Sequence, residues 1–283
     1  MGKILLQVLI SLLLFFGAWL GLAQISWREL FKVEEKTKNI EEKLGDLLWD
    51  EIKETETLVT KKNIVDPVDT LVDHLCKAND IDRKDIKLHI IEKDEINAFA
   101  MPDGHLVVYT GLIRKCKNEA ELLGVIGHEI GHIEKHHVMQ KLTREIGLAI
   151  LVTATSNGGG SQIASIMRLL TSTAYDRELE READISSVDY LIKANVDPEP
   201  FANFMYLLAS ETSDNAALAW ISTHPLPEER AKYILDYIKD KDIEKQQILA
   251  NTTWNKLQND LSLDFGEADY EEITIEDQDS TVE

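Results

Sequence analysis

Two histidines and a glutamate stand together at His128-Glu129-Ile130-Gly131-His132. The spacing is H-E-x-x-H, and the residues around it are patterned as a helix. Residues four apart share one helix face, so His128 and His132 can turn two imidazoles toward one cation. Glu129 offers a carboxylate that can take a proton from a water activated by that cation. Two nitrogen donors with a base beside them are the starting set of a zinc hydrolase. The competing explanation is a surface helix that carries two histidines by chance. The surroundings favour the first reading. Asn118 suits an N-cap, and Glu119 and Glu121 fall in the first turn, where the helix dipole favours negative charge. Leu122, Leu123, Val125, Ile126 and Ile130 then follow at close to helical period.

A hydrolytic zinc takes three protein ligands and keeps its fourth position open. The best source of the third is the acidic run from Asp176 to Asp184. Several carboxylates compete there. Glu180 and Asp184 share a helix face, which suits one ligand and one carboxylate steadying a ligand histidine through its outer N–H. A charged solvent face is the alternative, although its i,i+4 pairs, Glu178 with Glu182 and Arg177 with Arg181, are like-charged and repel.

H-E-I-G-H followed by E-R-E-A-D resembles the zinc metallopeptidase family of the CaaX prenyl proteases, HtpX and BepA, metallopeptidase family forty-eight. Asn97 to Leu112 is similar to the strand pair that family places before its zinc helix. Thr223 to Arg230 is similar to its later H-P motif, and Glu41 to Leu48 to its first soluble helix. The similarity runs from Phe31 to Ile238. It implies an α+β fold, a mainly helical zincin of the gluzincin type with a small β-sheet beside the active-site helix. It implies one Zn2+ per chain, with His128, His132 and Glu180 as ligands, Glu129 as general base and Asp184 as the supporting carboxylate. His224 matches a histidine near the metal, either stabilising the developing oxyanion or filling the open position in a resting form; its alternative is to cap the helix starting near Pro225. His137 matches a histidine common after the zinc motif and receives no ligand role. His136 stands where an arginine is more usual.

The resemblance also implies polypeptide substrates bound as an added strand along a sheet edge. Asn97, Ala98, Phe99 and Ala100 are the candidate edge. Pro102-Asp103-Gly104 turns the chain into the strand His105 to Tyr109.

Ile4 to Ile25 is apolar except for Gln7, Ser11 and Gln24, and about twenty such residues span a bilayer as one helix. Trp19 and Trp27 suit interfacial positions, and Lys3 gives a short positive flank. The expectation is a retained membrane anchor with the catalytic domain exported, periplasmic or otherwise extracytoplasmic. The alternative is a signal cleaved near Gly21-Leu22-Ala23. A single span sets the chain apart from the multi-span relatives, so prenylated substrates do not carry over. Ile146 to Ala154 is too short to span and reads as the continuation of a buried helix.

The organisation expected is an anchor at 1–26, a helical linker and first soluble helix at 27–60, a metallopeptidase domain at 61–258 and an acidic, unstructured tail at 259–283. Leu44, Leu47, Leu48 and Ile52 mark the apolar face of the first helix. A net charge of −21 over 283 residues argues against nucleic-acid binding, which wants a basic face. Cys76, on a helix expected after Pro67, and Cys116 are either a disulfide or buried free thiols. Ser156 to Ser161, with three glycines, is either a hinge for a lid or an ordinary connection. These features point to a membrane-anchored zinc endopeptidase acting on envelope or misfolded proteins. The alternative from another class is an envelope chaperone or assembly factor with little proteolysis.

Overall fold

The computed structural model describes residues 33–157, 160–210, 215–241, 243 and 245–265. The expected anchor at 1–26, Gly158 and Gly159 of the glycine-rich joint, and the tail beyond Phe265 lie outside the described residues. No described helix is long and apolar enough to cross a membrane.

Helices α1 (Val33–Thr55) and α2 (Lys62–Ala78) precede a sheet of β1 (Lys87–Ile91), β2 (Ala98–Met101) and β3 (His105–Tyr109). Then come α3 (Thr110–Lys115), α4 (Glu119–Glu134), α5 (His137–Ile146), α6 (Leu148–Asn157), α7 (Gly160–Ser172) and α8 (Arg177–Lys193). Helices α9 (Glu199–Ser210), α10 (Asn215–Thr223), α11 (Pro227–Ile238) and α12 (Asn251–Phe265) close the described chain. The architecture is the expected mainly helical α+β fold with a small sheet.

The sheet order is β1-β3-β2, with β3 parallel to β1 and antiparallel to β2. Every residue of β3 is buried because the sheet is covered on both faces. Leu106 and Val108 join a core built with α2, α4, α9, α11 and α12. Val107 and Tyr109 face a second core with α1, α5, α6 and α7. The alternation is the two-residue period of a strand. Pro102-Asp103-Gly104 makes the expected turn, with Asp103 at φ 63° and Gly104 at φ 70°.

Helix α4 is the central beam. Asn118 caps it by accepting from the Glu121 amide at 3.0 Å. Helix α8 packs along it with unusual closeness, which small residues permit. A Cβ on Gly127 would stand 2.9 Å from Ser187 Oγ, and one on Gly131 3.2 Å from the Ala183 backbone. Ser187 Oγ donates to the Gly124 carbonyl at 2.6 Å, fixing the pair.

Three expectations change. Helix α2 begins at Lys62 and carries Pro67 inside it. The missing ladder bond is tolerated because Ile64, Val68, Leu71, Val72, Leu75 and Cys76 form one buried stripe. The run Ile146 to Ala154 does not continue a buried helix: Gly147 at φ 81° ends α5. In α6, Leu151 and Ala154 are buried while Leu148, Ile150 and Val152 are exposed. The boundary at 258 falls inside α12, which buries Leu257 and Leu261. Asn63 donates to Asp260 at 2.8 Å, and Lys61 pairs with Asp264 at 2.8 Å. Cys76 and Cys116 are buried free thiols.

Candidate metal centre

One turn of α4 aims His128 and His132 at a common point, their Nε2 atoms 3.0 Å apart. Helix α8 brings Glu180 to the same point, and the end of α10 brings His224. Donor atoms of these four residues all lie within 4.8 Å of one another. His224 Nδ1 is 2.9 Å from Glu180 Oε1 and 3.3 Å from His128 Nε2. All four side chains are buried, as is Glu129.

Support for the cluster comes from behind. His128 Nδ1 is 2.8 Å from Asp184 Oδ1. A carboxylate only accepts, so the His128 proton sits on Nδ1 and the Nε2 lone pair faces the centre. Asp184 also accepts from Arg230 through Nε at 2.9 Å and Nη2 at 2.7 Å, and from the Tyr233 hydroxyl. Arg230 Nη1 reaches Glu180 Oε2 at 2.8 Å. One buried guanidinium is therefore shared by two buried carboxylates. Burial alone would raise both acids, but the Arg230 charge and the histidine contacts outweigh it, holding Glu180 well below the usual range and Asp184 at about 2. Burial lowers His128, His132 and His224 to about 4 against the pull of these carboxylates.

Glu129 points the other way, toward the sheet. Its Oε2 accepts from the Ala100 amide at 2.9 Å. Its Oε1 has no hydrogen-bond partner among the described residues and lies 3.4 Å from His224 Nε2. Burial, then the Glu180 charge, pushes its carboxyl well above the usual range.

The candidate edge residues divide by backbone direction. Tyr109 donates its amide to the Asn97 carbonyl at 3.0 Å. In an antiparallel ladder the next pair turns outward, so the polar groups of Ala98 and Ala100 face away from β3, as the Ala100–Glu129 bond requires. Asn97 precedes β2, and its side chain lines a cavity of about 280 Å³ with Phe99, Tyr109 and Lys93. Strand β2 is buried throughout, with Ile163, Ile166 and Leu170 of α7 in the core that covers it.

Arg230, Tyr233, Tyr175 and Lys141 also stand at the centre, without a role that the sequence pattern predicts. Tyr175 stacks on His132 with ring centroids 4.0 Å apart. Lys141 lies 4.2 Å over the Tyr175 ring, and burial lowers it to about 8. Arg230 closes the H-P motif that starts at Thr223, and its position one turn into the helix after His224-Pro225 was the available signal.

The donor set fits a metal ion. Nitrogen lone pairs 3.0 Å apart repel unless a proton or cation lies between them, and carboxylate plus imidazole donors suit a borderline divalent ion. A helix carrying two donor histidines and a glutamate, crossed by a second helix carrying a donor carboxylate, is a zincin-like arrangement.

The chain belongs to peptidase family M48, a metallopeptidase family, whose model matches residues 66–238. Mitochondrial metalloendopeptidase OMA1 of Arabidopsis thaliana is 32% identical over 146 residues, covering 51% of this chain and 30% of the relative. The beta-barrel assembly-enhancing protease of Yersinia pestis is 27% identical over 204 residues, 66% of this chain and 41% of the relative. Metalloprotease LoiP of Escherichia coli K12 is 30% identical over 165 residues, 56% of this chain and 65% of the relative. The matches thus span between 30% and 65% of these relatives' lengths.

Proposed function

We propose that the chain is a zinc-dependent endopeptidase, tethered to a membrane through Ile4 to Ile25 with its catalytic body exported, and acting on envelope or misfolded polypeptides. The observation that carries this reading is the convergence of His128, His132, Glu180 and His224 beside a glutamate held by the sheet edge. His128, His132 and Glu180 would hold the ion. Bound there, zinc supplies a Lewis acid that polarises a peptide carbonyl and brings the pKa of water to about 7.

The remaining work belongs to the chain. The Ala100 amide holds one oxygen of Glu129, leaving Oε1 to take a proton from water and return it to the leaving amine. With an ion held by the other three, His224 would take the place a substrate needs. A hydrolytic site keeps one position open, so turnover requires His224 to withdraw from the cluster. Its ring then becomes a donor for a developing oxyanion, an interaction worth about 3 kcal/mol. A substrate segment adds to β2 through the outward N–H and carbonyl of Ala98 and the carbonyl of Ala100, the Ala100 N–H staying on Glu129, once α7 gives way. The name of the Yersinia pestis relative, a beta-barrel assembly-enhancing protease, supports an envelope setting.

A second reading, a chaperone or assembly factor with little proteolysis, draws on the burial of the whole centre. Casein hydrolysis and suppression of client aggregation, measured for the parent and Glu129→Gln, separate the two. Gln keeps an acceptor for the Ala100 amide. Cleavage by the parent alone supports the endopeptidase. Equal suppression of aggregation with no cleavage by either supports the chaperone and contradicts the primary reading.

A further inference from the structure

The two histidines of α4 are supported differently. Behind His128 stands a carboxylate, Asp184. Behind His132 stands another imidazole: His132 Nδ1 is 3.0 Å from His137 Nδ1. His137 is fully buried, and its Nε2 lies 3.4 Å from Glu182 Oε2, an approach without hydrogen-bond geometry. Glu182, on α8, is half exposed, and its Oε1 lies 3.1 Å from Lys135 Nζ. The chain must turn sharply to make this contact. His136 takes the left-handed conformation at φ 55° between α4 and α5, a conformation uncommon for residues other than glycine, and so returns His137 beneath His132.

The proton positions follow from donor chemistry. His132 Nε2 faces the centre, 3.0 Å from His128 Nε2 and 3.5 Å from Glu180 Oε1. To present a lone pair there, the ring carries its proton on Nδ1. That N–H faces His137 Nδ1, which must accept. The proton of neutral His137 then sits on Nε2, facing Glu182. On its flank, the Tyr175 ring stacks over His132 at an interplanar angle of 23°.

We propose that His137 is a positioning residue for His132, and that Glu182 completes a carboxylate–imidazole–imidazole chain that orients this ligand toward the metal. The inference rests on the zinc reading above and deepens it. His137 touches neither substrate nor the reacting atoms; it acts by fixing the tautomer and rotation of His132. Partners behind ligand histidines are typically worth about 10–100-fold in metal affinity.

The test is zinc release from the full chain to excess chelator, followed for the parent, His137→Leu and His137→Asn. Leucine fills the space and accepts nothing. Asparagine places an amide oxygen near the former Nδ1. The expectation is release about 10–100-fold faster for His137→Leu, with most of the parental rate restored in His137→Asn. The visible spectrum of the Co2+-substituted protein should shift for the leucine variant and return toward the parental bands for the asparagine variant. Parental release by His137→Leu, or equal impairment of both variants, overturns the inference while the zinc reading stands. A parent that binds no zinc overturns both. Should His137→Leu fail to fold, Glu182→Ala at the half-exposed end of the chain decides: faster release supports the chain, and a parental rate overturns it.

Discussion

The molecule brings histidines together in two places, fully buried in one and with His89 half-buried in the other, and treats them differently. At the metal centre, three rings meet Glu180 and Asp184, and Arg230 keeps both acids charged. At the sheet, His89 of β1 and His105 of β3 meet each other, Nε2 to Nδ1 at 2.9 Å, beneath Trp49 of α1 with the His89 and Trp49 ring centroids 3.6 Å apart. Asp46 and Asp103 offer carboxylates within 4.8 Å of a His105 nitrogen, but Asp46 is exposed and Lys87 takes Asp103. Burial makes both groups poor bases. What makes one a metal centre is a set of carboxylates held ionised by a buried cation; without that the rings form a neutral strut. Separating these two regimes by mutation gives a graded series of outcomes.

The largest effect should come from Arg230→Met. It leaves Glu180 and Asp184 buried without their cation, and breaking a buried pair in this way costs about 3–5 kcal/mol. Urea unfolding of the zinc-free protein measures it; a loss under about 1 kcal/mol would show that Arg230 does not hold the acids. Next is Gly127→Val, which drives a side chain into Ser187 of α8. Overpacking of this kind costs about 1–3 kcal/mol, and it should weaken zinc binding as well, because it moves the helix that carries Glu180.

The sheet pair should announce itself through acid. Burial lowers His89 to about 3 and His105 to about 4; Lys87 and Lys53 push both the same way, and Asp103 and Asp46 oppose for His105. The unfolded rings titrate near 6.5, so between pH 6.5 and about 4 the unfolded chain binds more protons than the folded one. Stability contributed by the neutral pair is therefore full above about pH 6.5 and lost as pH falls through this window. His105→Gln should flatten that part of the zinc-free protein's pH–stability curve; an unchanged slope would place the acid sensitivity elsewhere. The smallest effect is Lys53→Gln, which breaks an exposed pair with Asp50 at 2.7 Å and should change stability by under about 0.5 kcal/mol.

What was legible in the sequence was local. The H-E-x-x-H spacing, the Asn118 cap, the Pro102-Asp103-Gly104 turn and the strand from His105 to Tyr109 are short-range patterns, and the structure repeats them. Glu180 and Asp184 were legible as one face of one helix. Their partner Arg230 was not, because a single arginine carries no period and its role depends on α11 crossing α8. The His137 contact depends on the left-handed turn at His136, which side-chain pattern does not encode. The apolar run at Ile146 to Ala154 does not show its fate in composition, because Gly147 breaks the helix there and the new helix shows solvent a face that composition alone would bury.

The central claim is that His128, His132 and Glu180 hold a zinc ion. Zinc content of the purified full chain, by elemental analysis before and after His128→Ala/His132→Ala, tests it most directly. The account predicts one zinc per chain in the parent and none in the double variant. No zinc in the parent, or equal zinc in both, would contradict it.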